Sequence, residues 1–294
     1  VLFRSLRYLD KGFRFFLWSF CENLSVLTSF FRYFMVTWKY RIEGGCPHMK
    51  LTVLGCLGAY PYKGEGTSSY LLESEGFHLL IDAGSTTLVR LENYLDPLKL
   101  DAVILSHYHH DHIADLGVLQ YYRQLYPTLE PTPILPIYGH TQDQMHFKEL
   151  TLPNVSEGKE YFEAEELAVG PFLITFMETI HPVTCYAMRI VEKATGKVFV
   201  FTGDSGYLAS FEDFAKDADL FLADTYLFEG NERHHAHFTS REAGEIAKAA
   251  QVKQLMLTHL PQHGSLEQLR EEAQNYAGTE IPVTLAQPDL TVEI

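Results

Sequence analysis

From Lys50 onward the chain alternates short, β-rich apolar runs with stretches of helical period. Residues 50–55, 69–73 and 77–82 read as strands and residues 85–95 as a helix. The run Ala102-Val103-Ile104-Leu105 within a strand at 101–106 has no polar position, which fits burial on both faces. A helix at about 114–126 and a connection rich in proline (Pro127, Pro131, Pro133, Pro136) follow, and strands resume at 172–178, 186–192 and 197–202. Residues 220–224, 240–250, 254–258, 265–276 and 281–285 then alternate strand and helix. Two halves, each opening with strands and closing in strand-helix units, predict two mixed sheets face to face with helices outside. This is an α/β fold of the four-layer αββα sandwich type, built as one domain over residues 49–294.

The first 48 residues follow no such plan. Residues 13–38 are rich in Phe, Leu, Trp and Val, and the stretch 15–31 approaches the length of a bilayer span. Glu22 and Asn23 interrupt it, Arg14 and Arg32 bracket it, and no small-residue cleavage site follows. The chain begins with Val1, and Glu43-Gly44-Gly45 is encodable as a bacterial ribosome-binding sequence three codons before Met49. We therefore expect residues 1–48 to be upstream DNA read in frame, with a membrane-associated leader as the competing reading, and no membrane association for 49–294.

Charge separates the same two parts. The chain has 23 basic and 38 acidic residues, of which residues 1–49 hold seven and three; the remaining 16 and 35 leave residues 50–294 at −19. A body so acidic repels polyanions at long range, which argues against non-specific nucleic-acid binding, although a bound metal can still hold one phosphate. Cys56 and Cys185 are far apart in sequence and form no Cys-x-x-Cys pattern. Neither a disulfide framework nor a thiolate metal site is expected, and a reducing cytosol suits the chain.

Ionisable residues gather where apolar strands end, the place where α/β folds carry chemistry. Ser106-His107-Tyr108-His109-His110-Asp111-His112 is the densest case. In extended backbone His107 and His109 project the same way, while Asp111 and His112 enter a turn and offer a carboxylate and a third imidazole from another direction. His110 fits neither projection and reads as a bystander. His181, Asp204 and His259 each close a further apolar strand. Three more nitrogen and oxygen donors nearly saturate two first-row metal ions and leave a position for water.

The order His107-x-His109-x-Asp111-His112, His181, Asp204, His259 resembles the metallo-β-lactamase fold superfamily over residues 50–294. The resemblance implies that His107, His109 and His181 hold one metal, Asp111, His112 and His259 a second, and that Asp204 bridges them. It makes Asp82 the buried carboxylate that orients a ligating imidazole. Zinc is the first expectation for both ions, with manganese or iron next.

Asp at 204, where the β-lactamases carry Cys, and His109, where the di-iron flavoproteins carry Glu, point to neither of those branches. Leu54-Gly55-Cys56-Leu57-Gly58-Ala59-Tyr60-Pro61 with Thr67-Ser68-Ser69, and His237-Phe238-Thr239-Ser240-Arg241-Glu242-Ala243-Gly244-Glu245, are similar to the tRNA 3′-processing endonucleases, RNase Z, and their small relatives. That resemblance implies a homodimer. It also gives His237 the task of protonating the leaving oxygen. Two departures stand against tRNA itself. Only 23 residues separate His181 from Asp204, room for a hairpin but not for a tRNA-gripping arm, and Ala223-Asp224-Thr225-Tyr226 stands where the family's His-Glu-Ala-Thr motif is expected.

The expected activity is hydrolysis of small phosphodiesters or nucleotides by hydroxide bridging two metals, with Asp111 and Asp204 fixing the bridge. Cleavage of RNA 3′ ends, or of a carboxylic ester, thioester or lactone on the same metals, are the alternatives. A silent metal-binding protein is disfavoured because all seven ligand positions are filled. Recognition is expected from the 61–69 loop with Lys63 and its glycines at 64 and 66, and from Tyr121, Tyr122, Tyr126 and Tyr138, which could stack a base or simply pack the core.

Overall fold

The computed structural model describes residues 49–294, and the reading of residues 1–48 as a leader lies outside the described residues. Strands β1 (Lys50–Gly55), β2 (Ser69–Ser74) and β3 (Phe77–Ile81) form an antiparallel meander. A short helix α1 (Thr87–Leu91) and a 3-10 turn at Pro97–Lys99 lead to β4 (Ala102–Ile104), which joins β3 in parallel. Helices α2 (His110–Ile113) and α3 (Leu116–Leu125), strand β5 (Leu135–Gly139), helix α4 (Gln144–Glu149) and strand β6 (Ser156–Glu160) extend the parallel series.

The second half repeats the plan. Strands β7 (Leu167–Val169), β8 (Phe172–Glu178), β9 (Tyr186–Glu192) and β10 (Val198–Phe201) run antiparallel in succession. Helix α5 (Phe211–Phe214), β11 (Leu220–Asp224), α6 (Ser240–Ala249), β12 (Leu255–Thr258), α7 (Leu266–Ala277) and β13 (Val283–Leu285) follow, their strands parallel to β10. Strand β14 (Thr291–Glu293) then leaves the second sheet and pairs with β1. The sheet orders are β14-β1-β2-β3-β4-β5-β6 and β13-β12-β11-β10-β9-β8-β7.

Alternation along the first sheet's strands makes the layers. Val53, Tyr70, Leu72, Ile81 and Ile104 join the second sheet's Phe176, Met188, Phe201 and Leu222 in one buried cluster. Leu54, Leu71, Leu80, Val103 and Leu105 point the other way, onto Leu91, Leu116 and Leu119 of α1 and α3. Successive residues of a strand face opposite sides, so only a sheet covered on both faces buries them all. The four-layer αββα sandwich expected from the sequence is the fold observed. Among the described residues no helix is long and apolar enough to cross a membrane.

Two local readings need correction, and one holds. The helix expected at 85–95 is confined to α1, because Thr86 sits at φ +70° before it and Asp96 caps the separate turn at Pro97–Lys99. The helix expected at about 114–126 is α3, Leu116–Leu125, and a separate turn of helix, α2, precedes it at His110–Ile113. The proline-rich connection contains β5. Pro136 pairs toward β6, whereas the ladder to β4 begins only at Ile137, so the missing N–H of proline costs that ladder nothing.

Candidate metal centre

The loops after β4, β8, β10 and β12 bring the expected ligands together. Past β4, His109 is still extended at φ −63°, ψ 147°, and α2 then turns Asp111 and His112 inward while His110 stays exposed. His107, His109, His181 and Asp204 form one group whose donor atoms lie within 4.8 Å of one another; Asp111, His112, Asp204 and His259 form a second, and Asp204 belongs to both.

In the first group His109 Nδ1 stands 3.1 Å from His107 Nε2 and 2.9 Å from His181 Nε2, and both Nε2 atoms are 3.7 Å from Asp204 Oδ2. In the second, His112 Nε2 is 3.2 Å from Asp204 Oδ1, and His259 Nε2 is 3.2 Å from both Asp111 Oδ2 and Asp204 Oδ2. Donors about 2.0–2.1 Å from a tetrahedral zinc stand roughly 3.3 Å apart, so this spacing fits a divalent cation. Buried His112 Nε2 and Asp204 Oδ1 have no hydrogen-bond partner among the described residues. Buried polar atoms rarely go unpaired, and atoms of ligand type left so in a donor cluster suit a cation. The imidazole and carboxylate donors are borderline to hard, a set that zinc, manganese and iron all accept.

Electrostatics differs between the groups. Burial holds His107 and His109 below the ordinary imidazole range, and it brings His181 down to about 4. Burial also opposes charge on His112 and His259, but Asp204 with Asp82 outweighs it for the first and Asp204 with Asp224 for the second. His112 is thus raised well above the ordinary value and His259 to about 10. Burial likewise disfavours charge on Asp204, yet His259 and His112 hold its carboxyl well below the usual range. Protons on the second group therefore stand in for the cationic charge that a metal brings, and metal binding displaces them.

Behind the ligands lies a layer of buried donors and acceptors. Asp82 accepts His112 Nδ1–H at 2.7 Å, with Ser106 N–H at 2.7 Å and Ser106 Oγ–H at 2.8 Å. His181 Nδ1 faces the Ala236 carbonyl at 3.1 Å, and Asp111 Oδ2 accepts Ala59 N–H at 2.7 Å. Asp82 and His259 both hold left-handed backbone, at φ +55° and +52°. Non-glycine residues in that region carry strain and persist where surrounding contacts over-determine them. Gly58 cannot take a side chain, since a Cβ there would stand 2.6 Å from the His259 ring and 2.8 Å from Tyr226.

His237 reaches the same centre. Its ring stacks on His259 with centroids 4.9 Å apart and meets His181 edge-on at 5.5 Å. Its Nδ1 is 2.9 Å from Oδ2 of Asp224, whose Oδ1 lies 3.4 Å from His259 Nδ1. The sequence reading noticed Asp224 only as part of a motif departure. Its signal in the sequence is that it ends the apolar run Leu220-Phe221-Leu222-Ala223, and the structure sets it in register with Thr258, the residue before His259. Tyr226 was missed as well: its ring lies 5.2 Å from His237 and 5.7 Å from His259. Tyr121, Tyr122 and Tyr126 instead line an apolar surface groove with Leu88, Val118 and Leu125, and Tyr138 packs against the inter-sheet core.

A family model described as the metallo-beta-lactamase superfamily matches residues 62–283. The probable metallo-hydrolase YhfI of Bacillus subtilis is 46% identical over 237 residues, 80% of this chain and 96% of that protein. Its crystal structure superposes with a TM-score of 0.79 at 43% identity, covering 84% of this chain and 100% of that chain. A ribonuclease Z of Clostridium kluyveri is 26% identical over 269 residues, 72% of this chain and 88% of that protein. A diphosphatase of the PhnP family shares the fold at a TM-score of 0.64 and 19% identity, with 84% of this chain and 97% of that chain covered. The donors that converge from four strand ends are thus set in the fold and the sequence of one known group, and the chain belongs to the metallo-beta-lactamase superfamily as a metallo-hydrolase.

Proposed function

We propose that this metallo-hydrolase is a phosphodiesterase that cuts small phosphodiesters or nucleotides on two divalent ions, zinc foremost. The observation that carries the reading is the Asp224–His237 pair beside both ligand groups. Phosphodiester cleavage must deliver a proton to a leaving alkoxide, and an imidazole beside the ligand cluster suits that step. Asp224 is fully buried and accepts from Nδ1–H of His237, so in the imidazolium form the ring keeps that bond and has the Nε2–H to give to the leaving oxygen; the His237 side chain keeps 17% exposure and is open to a bound ester. When bound, the ions lower the pKa of a water toward neutrality and offset charge on the phosphoryl oxygens. Asp204 spans the two groups, and Asp111 is held by the Ala59 amide, so both carboxylates are fixed before substrate arrives. Kinship with a protein named ribonuclease Z supports the same chemistry.

The zinc-loaded protein is expected to turn over bis(p-nitrophenyl) phosphate and to leave a lactone largely untouched. Preference for the lactone would overturn the reading in favour of a carboxylic-ester hydrolase. His237→Ala is expected to keep its metal and to lose about 10²–10⁴-fold in turnover of an alkyl phosphodiester, and much less with p-nitrophenolate, a leaving group that needs little protonation. Equal losses on both substrates would remove His237 from the proton-donor role.

A further inference from the structure

Asp82 and Ser106 lie behind the ligands, and the structure shows what they do there together. Asp82 Oδ2 faces two donors, His112 Nδ1 at 2.7 Å and Ser106 Oγ at 2.8 Å, and Ser106 Oγ in turn lies 3.0 Å from His107 Nδ1. A carboxylate only accepts, so the serine hydroxyl proton is committed to Asp82. The serine oxygen is then left with lone pairs, and the proton of the His107 imidazole must sit on Nδ1 to meet it. The order is therefore His107 Nδ1–H to Ser106 Oγ–H to Asp82, with His112 Nδ1–H arriving at the same oxygen. Asp82, Ser106, His107 and His112 are all fully buried, so water does not replace these bonds.

We infer that Ser106 is a positioning residue through which one carboxylate, Asp82, sets the tautomer of one imidazole in each ligand group. His107 belongs to the first group and His112 to the second. Both rings are thereby held with Nε2 toward Asp204, 3.7 Å away for His107 and 3.2 Å for His112. The two arms are unequal. His112 bonds to Asp82 directly, whereas His107 depends on the serine hydroxyl, with the Cys185 sulfur at 3.5 Å as its remaining neighbour. Removing the hydroxyl thus loosens the first group and spares the second. The inference does not depend on which ester is cut.

The test uses the full chain, stripped with a chelator and titrated with Zn²⁺ against a chromophoric competitor. Ser106→Ala is expected to weaken one class of zinc site by about 10–100-fold, the range for loss of such supporting hydrogen bonds, and to leave the other unchanged. Ser106→Thr, which keeps the hydroxyl, should restore both. Imidazole ¹⁵N spectra of the unsubstituted zinc-free protein add a readout that needs no variant: His107 should carry its proton on Nδ1, and Ser106→Cys should mix its tautomers while leaving the His112 Nδ1–H signal in place. Unchanged zinc affinity at both classes, equal weakening of both, or a His107 proton found on Nε2 would each overturn the inference.

Discussion

His259 shows how far the fate of one side chain depends on what surrounds it. In ordinary solution an imidazole titrates near 6.5, but Asp204 and Asp224 raise His259 to about 10 against the opposing effect of burial. A folded-state value above the unfolded one stabilises fully below pH about 6.5 and loses that contribution as pH climbs toward 10. His181 is the reverse case. Burial lowers it to about 4, so the folded state resists a proton that the unfolded chain accepts, and stability falls as pH drops from about 6.5 toward 4. The chelator-treated protein is therefore expected to melt highest near pH 6.5 and to lose stability on both sides, with zinc removing the alkaline decline because the ion then supplies the charge on the second group. Thermal melts from pH 5 to 10 with and without zinc check this, and an alkaline decline that zinc leaves intact would mean that His259 is not where the ion acts. At this scale the sequence shows which residues are chemically able but not which neighbour commits them. The seven expected ligands stand at strand ends and are legible there, whereas the bond of Asp224 to His237 joins residues 13 apart across a loop and needs the fold to be seen.

Strands and helices were legible where a single periodicity ran uninterrupted. The runs at 50–55, 172–178, 186–192 and 220–224 coincide with β1, β8, β9 and β11, since each is apolar enough to be buried on one face or both. Strand β6, Ser-Glu-Gly-Lys-Glu, escaped because it lies at a sheet edge and has no apolar alternation to detect. Helix α6 is the element with most consequence for the site. Thr239 and Glu242 form a reciprocal capping box at its N-terminus, a pairing that the Thr239-Ser240-Arg241-Glu242 spacing announces. The same cap anchors the strap carrying His237, two residues upstream. Thr239→Ala is expected to cost about 1 kcal/mol in urea unfolding. It should also reduce turnover of an alkyl phosphodiester more than that of a p-nitrophenyl ester, because His237 loses its fixed approach. Loss of stability with unchanged leaving-group selectivity would show that the cap serves the helix alone.

For the domain as a whole, charge and shape bear on the size of substrate to expect. The interval from His181 to Asp204, where a tRNA-gripping arm would have to lie, is filled by the β9–β10 hairpin, whose strands pair from Val198↔Val191 to Phe201↔Met188. Residues 50–294 carry −19, a field that opposes a long run of phosphates but would be offset locally by cations bound at the cluster. A protein that makes 6–10 phosphate contacts loses roughly 10³–10⁵-fold in affinity between 50 and 200 mM salt. An enzyme that holds one or two phosphates on metal ions should lose far less. A cyclic mononucleotide or dinucleotide is accordingly expected to be cleaved with kcat/KM changing by less than about tenfold over that salt range, and precursor tRNA to be cut poorly throughout. Both substrates, given to the same zinc-loaded preparation, decide the point. Efficient cleavage of precursor tRNA at its 3′ trailer with a steep salt dependence would mean that basic side chains on the described surface gather into a path for the RNA despite the acidic total.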